Sequence, residues 1–172
     1  MNGVTIRKIL KNDPAVSQSF LGVFPSDKVP TNACPTPCSV VANTDASGKP
    51  GQHWIAMHID GSRNGFFFDS YGRAPELKPF RDFLLLNCGE NWTFNEKMLQ
   101  NPLVSTCGQF CVYFLIFVCR GHTLAEIVSS FDESSDKDQA VVDFVNDSFR
   151  VDTEVYDEEF IVNQICRAMQ QQ

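Results

Sequence analysis

The sequence predicts an α+β fold, and three observations carry that reading. Strand-like segments cluster in the middle of the chain, helical patterns flank them on both sides, and one wholly apolar run, Phe110 to Cys119, has the composition of a buried central helix. The 172 residues suffice for one domain with its own core, and 43% hydrophobic content with 15 phenylalanines excludes a disordered chain. No repeat or linker-like tract divides it, so 1–172 reads as a single domain.

Taken in order, Val4 to Leu10 suggests a short helix, and Asp13-Pro14 offers an N-cap followed by proline for a second one. Gly22 to Pro37 reads as turn-rich, with SVVAN (39–43) a short strand after it and TDASGKPGQ a loop. HWIAMHID (53–60) and FFFDSYG (66–72) read as two strands joined into a hairpin by GSRNG. Leu77 to Leu86 suggests a helix and NWTFN a short strand. After Gly121, LAEIVSSF, AVVDFVNDSF and EEFIVNQICRAM carry helical periodicity, the last as a C-terminal extension over 151–172.

Composition bounds the function. A net charge of -7 provides no global positive field for phosphate backbones, so strong DNA binding is not expected. The opening MNGVTIRKILKND lacks the apolar core of a signal peptide, and the longest apolar run is far short of the roughly 18 residues a membrane span needs. The expectation is a soluble intracellular protein without a membrane partner. Seven cysteines, an odd number, argue for reduced thiols over a disulfide framework.

The chemistry concentrates around VSTCGQFC. Ser105 and Thr106 are N-cap types, which would put Cys107 in the first turn of the apolar helix, where free N–H groups and the helix dipole favour a thiolate. Gly108 would leave space beside the thiol for a substrate backbone. Ordinary core packing is the competing reading of Cys107, so a base must be found. Of three histidines, His58 lies inside an apolar strand and His122 follows a helix stop, whereas His53 begins the hairpin strand, open to a cleft. The hairpin brings Asp69 to the same end, although an aspartate there could also be a turn-entry residue. Gln100, seven residues before Cys107 in the loop QNPLVST, could donate to a developing oxyanion together with the Cys107 N–H.

The order His53, Asp69, Gln100, Cys107, with the flanking HW, FFDSYG and CGQFC, resembles the adenovirus-type cysteine proteases of the adenain family, in the same clan as the Ulp1-type SUMO proteases. FLGVFPSDKVP and VVANTDASGKPGQHW extend the resemblance, which covers about residues 5–150. It implies a papain-related fold with a central mixed sheet flanked by helices and the cysteine at the N-terminus of a buried central helix. The implied roles are His53 as general base, Asp69 as its orienting acid, Cys107 as nucleophile, Gln100 as oxyanion donor and Trp54 as a cleft wall. Aspartate stands at Asp69 where adenain itself has glutamate, as Ulp1-type members do.

The resemblance further implies a monomeric cysteine endopeptidase acting on glycine-containing protein substrates, in viral precursors or in ubiquitin-like tails, and places it in a host nucleus or virion. No cofactor is required; an activating peptide joined through a disulfide is implied, with Cys88 in roughly the matching loop region. Two rival readings stand beside it. Within the enzymes, the same groups support acyl transfer to lysine or serine; outside them, Cys34 and Cys38 with Cys107 and Cys111 could form a zinc-binding or interaction module, although their spacing is poor for zinc.

Overall fold

The computed structural model describes residues 1–149; the helix expected in DEEFIVNQICRAM lies outside the described residues. Five strands form one mixed sheet in sequence order, β1 (Phe20–Phe24), β2 (Cys38–Asn43), β3 (Trp54–Ile59), β4 (Gly65–Phe68) and β5 (Trp92–Phe94). The outer pairs β1·β2 and β4·β5 are parallel, the inner pairs antiparallel. Helices α1 (Gly3–Asn12), α3 (Cys107–Val118), α4 (Leu124–Ser129) and α5 (Lys137–Phe149) contribute to one hydrophobic cluster, and α2 (Lys78–Cys88) contributes to a second.

The inner strands β2, β3 and β4 are largely buried on both faces, so alternation sorts their side chains between two cores. On β3, Ile55, Met57 and Ile59 join the cluster with α2, whereas Trp54 and Ala56 join the one with α3. The expected hairpin forms, with Ala56 opposite Phe68 and Ile59 opposite Gly65. Helix α3 is buried nearly all round, as its composition requires, and Phe114 stacks on Phe68 with ring centroids 4.7 Å apart. It ends at Val118, and Gly121, at φ +91°, turns the chain toward α4, which opens with a Thr123–Glu126 capping box.

Two expectations fail locally. The helix anticipated from Asp13-Pro14 is a run of turns: Asp13 closes α1, its Oδ1 accepts the Ala15 and Val16 N–H groups, and its Oδ2 pairs with Arg120 at 2.7 Å. Only six residues then remain before Phe20 enters the sheet opposite Ser39. The segment read as turn-rich from Gly22 begins inside β1. A bulge between Phe20 and Gly22, with Gly22 at φ +149°, erases the two-residue alternation that would have marked it as a strand.

Candidate active site

The Thr44 N–H donates to the His53 carbonyl at 2.9 Å, which carries the β2·β3 pairing one step beyond β3 and sets His53 at its open end. Extending the β3·β4 register from Ala56 and Phe68 puts Tyr71 opposite His53, and the two rings stack with centroids 4.6 Å apart. Past Phe68 the chain turns: the Asp69 carbonyl accepts the Gly72 N–H at 2.7 Å, and its Oδ1 accepts the Tyr71 N–H at 2.8 Å. Gly72, at φ +71°, admits no side chain, since a Cβ would stand 2.8 Å from the Glu96 carbonyl oxygen.

Asp69 therefore satisfies both sequence readings at once. The oxygen that caps its turn also lies 2.7 Å from His53 Nε2. With Nε2 occupied, Nδ1 is the ring nitrogen left to act on Cys107. Burial alone would lower the His53 pKa, but the bonds to Asp69 and Cys107 override it and raise it to about 9. Burial would raise the Cys107 thiol, yet His53, with the Trp54 backbone N–H, brings it below its ordinary value. The two shifts run in the direction of a thiolate–imidazolium pair. Cys34, Cys38, Cys88, Cys111 and Cys119 are all shifted upward, Cys38 to about 12, so among the described cysteines Cys107 alone is turned toward the thiolate.

Thr106 precedes α3 but makes no side-chain cap, because its hydroxyl donates to Asp138 instead. The expected Ser/Thr cap is therefore absent, and the first-turn N–H groups stay free of a side-chain acceptor beside the thiol. Gln100 is 2% exposed; its Oε1 accepts from Ser70 Oγ at 2.7 Å and one Nε2 hydrogen goes to the Val104 carbonyl at 2.6 Å. A primary amide carries two N–H groups, so one is left over.

Gly108 does not face the substrate space. A Cβ there would meet Met1 Cβ at 3.1 Å and Ile6 Cδ1 at 3.2 Å, so this glycine lets α1 and the chain start pack on α3. Trp54 does line a cavity, of about 490 Å³, together with Val4, Arg7, Val23 and Lys49, and its Nε1 donates to the Met1 carbonyl. A second cavity, of about 460 Å³, flanks His53 between Tyr71, Arg73 and Leu77.

Several contributors escaped the sequence reading. Asn95 is buried and clamps Asp69 on both sides, accepting its N–H at 3.0 Å and donating to its carbonyl at 2.7 Å. Its signal was an asparagine directly after an aromatic strand. Tyr71 could have been found from the hairpin register. The Trp54 N–H belongs to every sequence alike and left no signal.

Cys34 and Cys38 belong with the α2 cluster and Cys111 with the α3 cluster, and among the described residues no three His, Cys, Asp or Glu side chains stand together as a metal site. Cys88 ends α2 rather than lying in a loop. Its thiol donates to the Leu84 carbonyl at 3.1 Å and is raised by burial, a setting that slows disulfide exchange. No helix among the described residues is long and apolar enough to cross a membrane.

A thiol at the head of a buried helix, an imidazole on the adjoining sheet and a carboxylate behind it are the groups that nucleophilic thiol chemistry requires. The chain is 27% identical over 135 residues to a protein of Acanthamoeba polyphaga mimivirus named as a thiol protease, over 64% of this chain and 44% of that protein. It thus spans less than half the length of that relative. Among solved structures it is similar to a crystal structure of an ASFV protease, with a TM-score of 0.44 and 20% identity over 61% of this chain and 43% of that one. No protein-family model matches the chain.

Proposed function

We propose that this domain is a cysteine endopeptidase that cleaves after glycine in protein substrates, viral precursor proteins foremost. The observation that carries the reading is the His53 imidazole held by Asp69 at 2.7 Å on one side, with the Cys107 thiol, lowered by that imidazole, on the other.

The Cys107 thiolate attacks the carbonyl carbon of the scissile peptide, and the electron pair moves to the oxygen. The Cys107 N–H and the second Gln100 Nε2 hydrogen stabilise that oxyanion. The His53 imidazolium then gives its proton to the departing amine as the C–N bond breaks, leaving a thioester. Water attacks the thioester, neutral His53 takes its proton, the C–S bond breaks and the acid product leaves. Asp69 holds the ring so that Nδ1 faces the sulfur throughout. Trp54 follows His53 and lines the 490 Å³ cavity, which makes it the candidate substrate-contacting wall. The glycine preference comes from the family resemblance, and the viral setting is supported by the mimivirus relative.

The test is site-resolved mass spectrometry after brief, limiting iodoacetamide treatment at pH 6, joined to a cleavage screen of glycine-containing peptides and ubiquitin-like tails. Selective alkylation of Cys107, lost in His53→Ala, and peptide cleavage, lost in Cys107→Ala, are the expected results. Indiscriminate alkylation, or equal cleavage by Cys107→Ala, would end the reading.

A further inference from the structure

The loop that carries Gln100 to the head of α3 is tied at both ends to one side chain on another helix. Asp138 Oδ2 accepts the Asn101 N–H at 2.8 Å, and Oδ1 accepts the Thr106 hydroxyl. Between these ties the loop is closed on itself, the Leu103 N–H donating to Asn101 Oδ1 at 3.0 Å and Gln100 Nε2 to the Val104 carbonyl. Leu103 itself is 91% exposed, so no core packing holds the loop at its tip.

We propose that Asp138 is a positioning residue for the oxyanion site: by bracketing residues 101 to 106, it fixes the Val104 carbonyl that aims the Gln100 amide. The inference rests on the reading of Gln100 as the oxyanion donor. An acid in the first turn of a helix is usually explained by the helix dipole. Here the cap of α5 comes from Asp136, whose Oδ1 accepts the Gln139 N–H at 3.0 Å, while both oxygens of Asp138 turn to the loop. The tether also explains why Thr106 leaves α3 without a side-chain cap, which keeps the first-turn N–H groups available. Two fixed donors at the oxyanion matter because misplacement by a fraction of an ångström forfeits much of their effect.

The charge of Asp138 is felt at Tyr71 beside His53, so a charge effect must be separated from a tether effect. Asp138→Asn does this, since its amide can still accept the Asn101 N–H and donate to Thr106. The experiment compares wild type, Asp138→Ala, Asp138→Asn and Thr106→Val on a cleaved glycine peptide, with a peptide aldehyde as the probe of oxyanion binding and iodoacetamide as the probe of the thiolate. Asp138→Ala should lower kcat and weaken the aldehyde by a common factor of about tenfold or more, with KM, the pH profile and the Cys107 alkylation rate within about twofold of wild type. Asp138→Asn should recover most of the loss, and the double variant with Thr106→Val should lose little more than Asp138→Ala alone. A shifted pH profile, or Asp138→Asn as impaired as Asp138→Ala, would overturn the tether. So would wild-type kcat and aldehyde affinity in Asp138→Ala. If iodoacetamide finds no selective thiolate in wild type, the protease reading itself fails, and the proposal with it; if Cys107 is selective in every variant, only the tether is in question.

Discussion

Asp69 Oδ1 serves His53 Nε2 at 2.7 Å and the Tyr71 N–H at 2.8 Å, so the atom that shapes the turn also orients the imidazole. Removing its charge while keeping its shape separates the two duties. In Asp69→Asn the amide oxygen can still accept the Tyr71 N–H, but the imidazolium loses its anionic partner. The His53 pKa, held at about 9 against burial, should fall, and the alkaline limb of kcat/KM, where imidazolium is lost, should move to lower pH. A tenfold or greater loss of kcat/KM is expected, with the thermal midpoint changed little. A pH–rate series on both proteins checks it, and an alkaline limb that stays in place would contradict the assignment.

Asn95 holds Asp69 from behind, accepting its N–H and donating to its carbonyl. In Asn95→Ala that buried N–H is orphaned, at about 1–3 kcal/mol. The variant should lose stability by about that amount in urea unfolding and should also lose kcat/KM, because Asp69 is no longer fixed. Loss of stability with full activity would make Asn95 a structural residue alone.

Gly72→Ala places a Cβ about 2.8 Å from the Glu96 carbonyl oxygen and from Lys97 C, and forces alanine to φ +71°. The obstacles are backbone, which cannot swing away like a side chain. The substitution should destabilise by about 2 kcal/mol or more and move the Asp69–Tyr71 turn with it. Differential scanning calorimetry with parallel activity assays reads both; an unchanged midpoint would mean that the turn relaxes freely.

What the sequence made legible was whatever is encoded along the chain. The hairpin of β3 and β4 showed in its alternation and turn, and α3 in a run too apolar to face water. The meeting of His53 and Asp69 followed because the hairpin closes a distance that the sequence leaves open. The failures have physical causes. Asp13-Pro14 is a genuine capping signal, but Asp13 closes a turn and binds Arg120, so no helix propagates. Thr106 is a good cap type diverted to Asp138, a partner 32 residues away that no local rule anticipates. Gly108 was correctly read as a demand for space, but the space is filled by Met1 and Ile6.

His58 offers a test of the fold independent of catalysis. It is 5% exposed, its Nδ1 lies 2.8 Å from Ser39 Oγ, and burial lowers its pKa to about 4 although Asp60 pulls the other way. An unfolded chain would protonate it near 6.5. Between these values the unfolded state binds a proton that the folded state refuses, so acidification from neutral pH must weaken the fold. The loss begins as pH falls below about 6.5 and is complete near 4, where it amounts to about 3 kcal/mol at 1.36 kcal/mol per pKa unit. Carboxylates titrating in the same range add their own terms, and the difference between wild type and His58→Asn cancels these. Asparagine keeps a polar group for Ser39 but has no proton to gain, so the two stability curves, measured by urea unfolding from pH 7.5 to 4, should converge as pH falls. Parallel curves would mean that His58 titrates normally, and that the polar pocket formed with Ser39, Ser19 and Cys119 admits water.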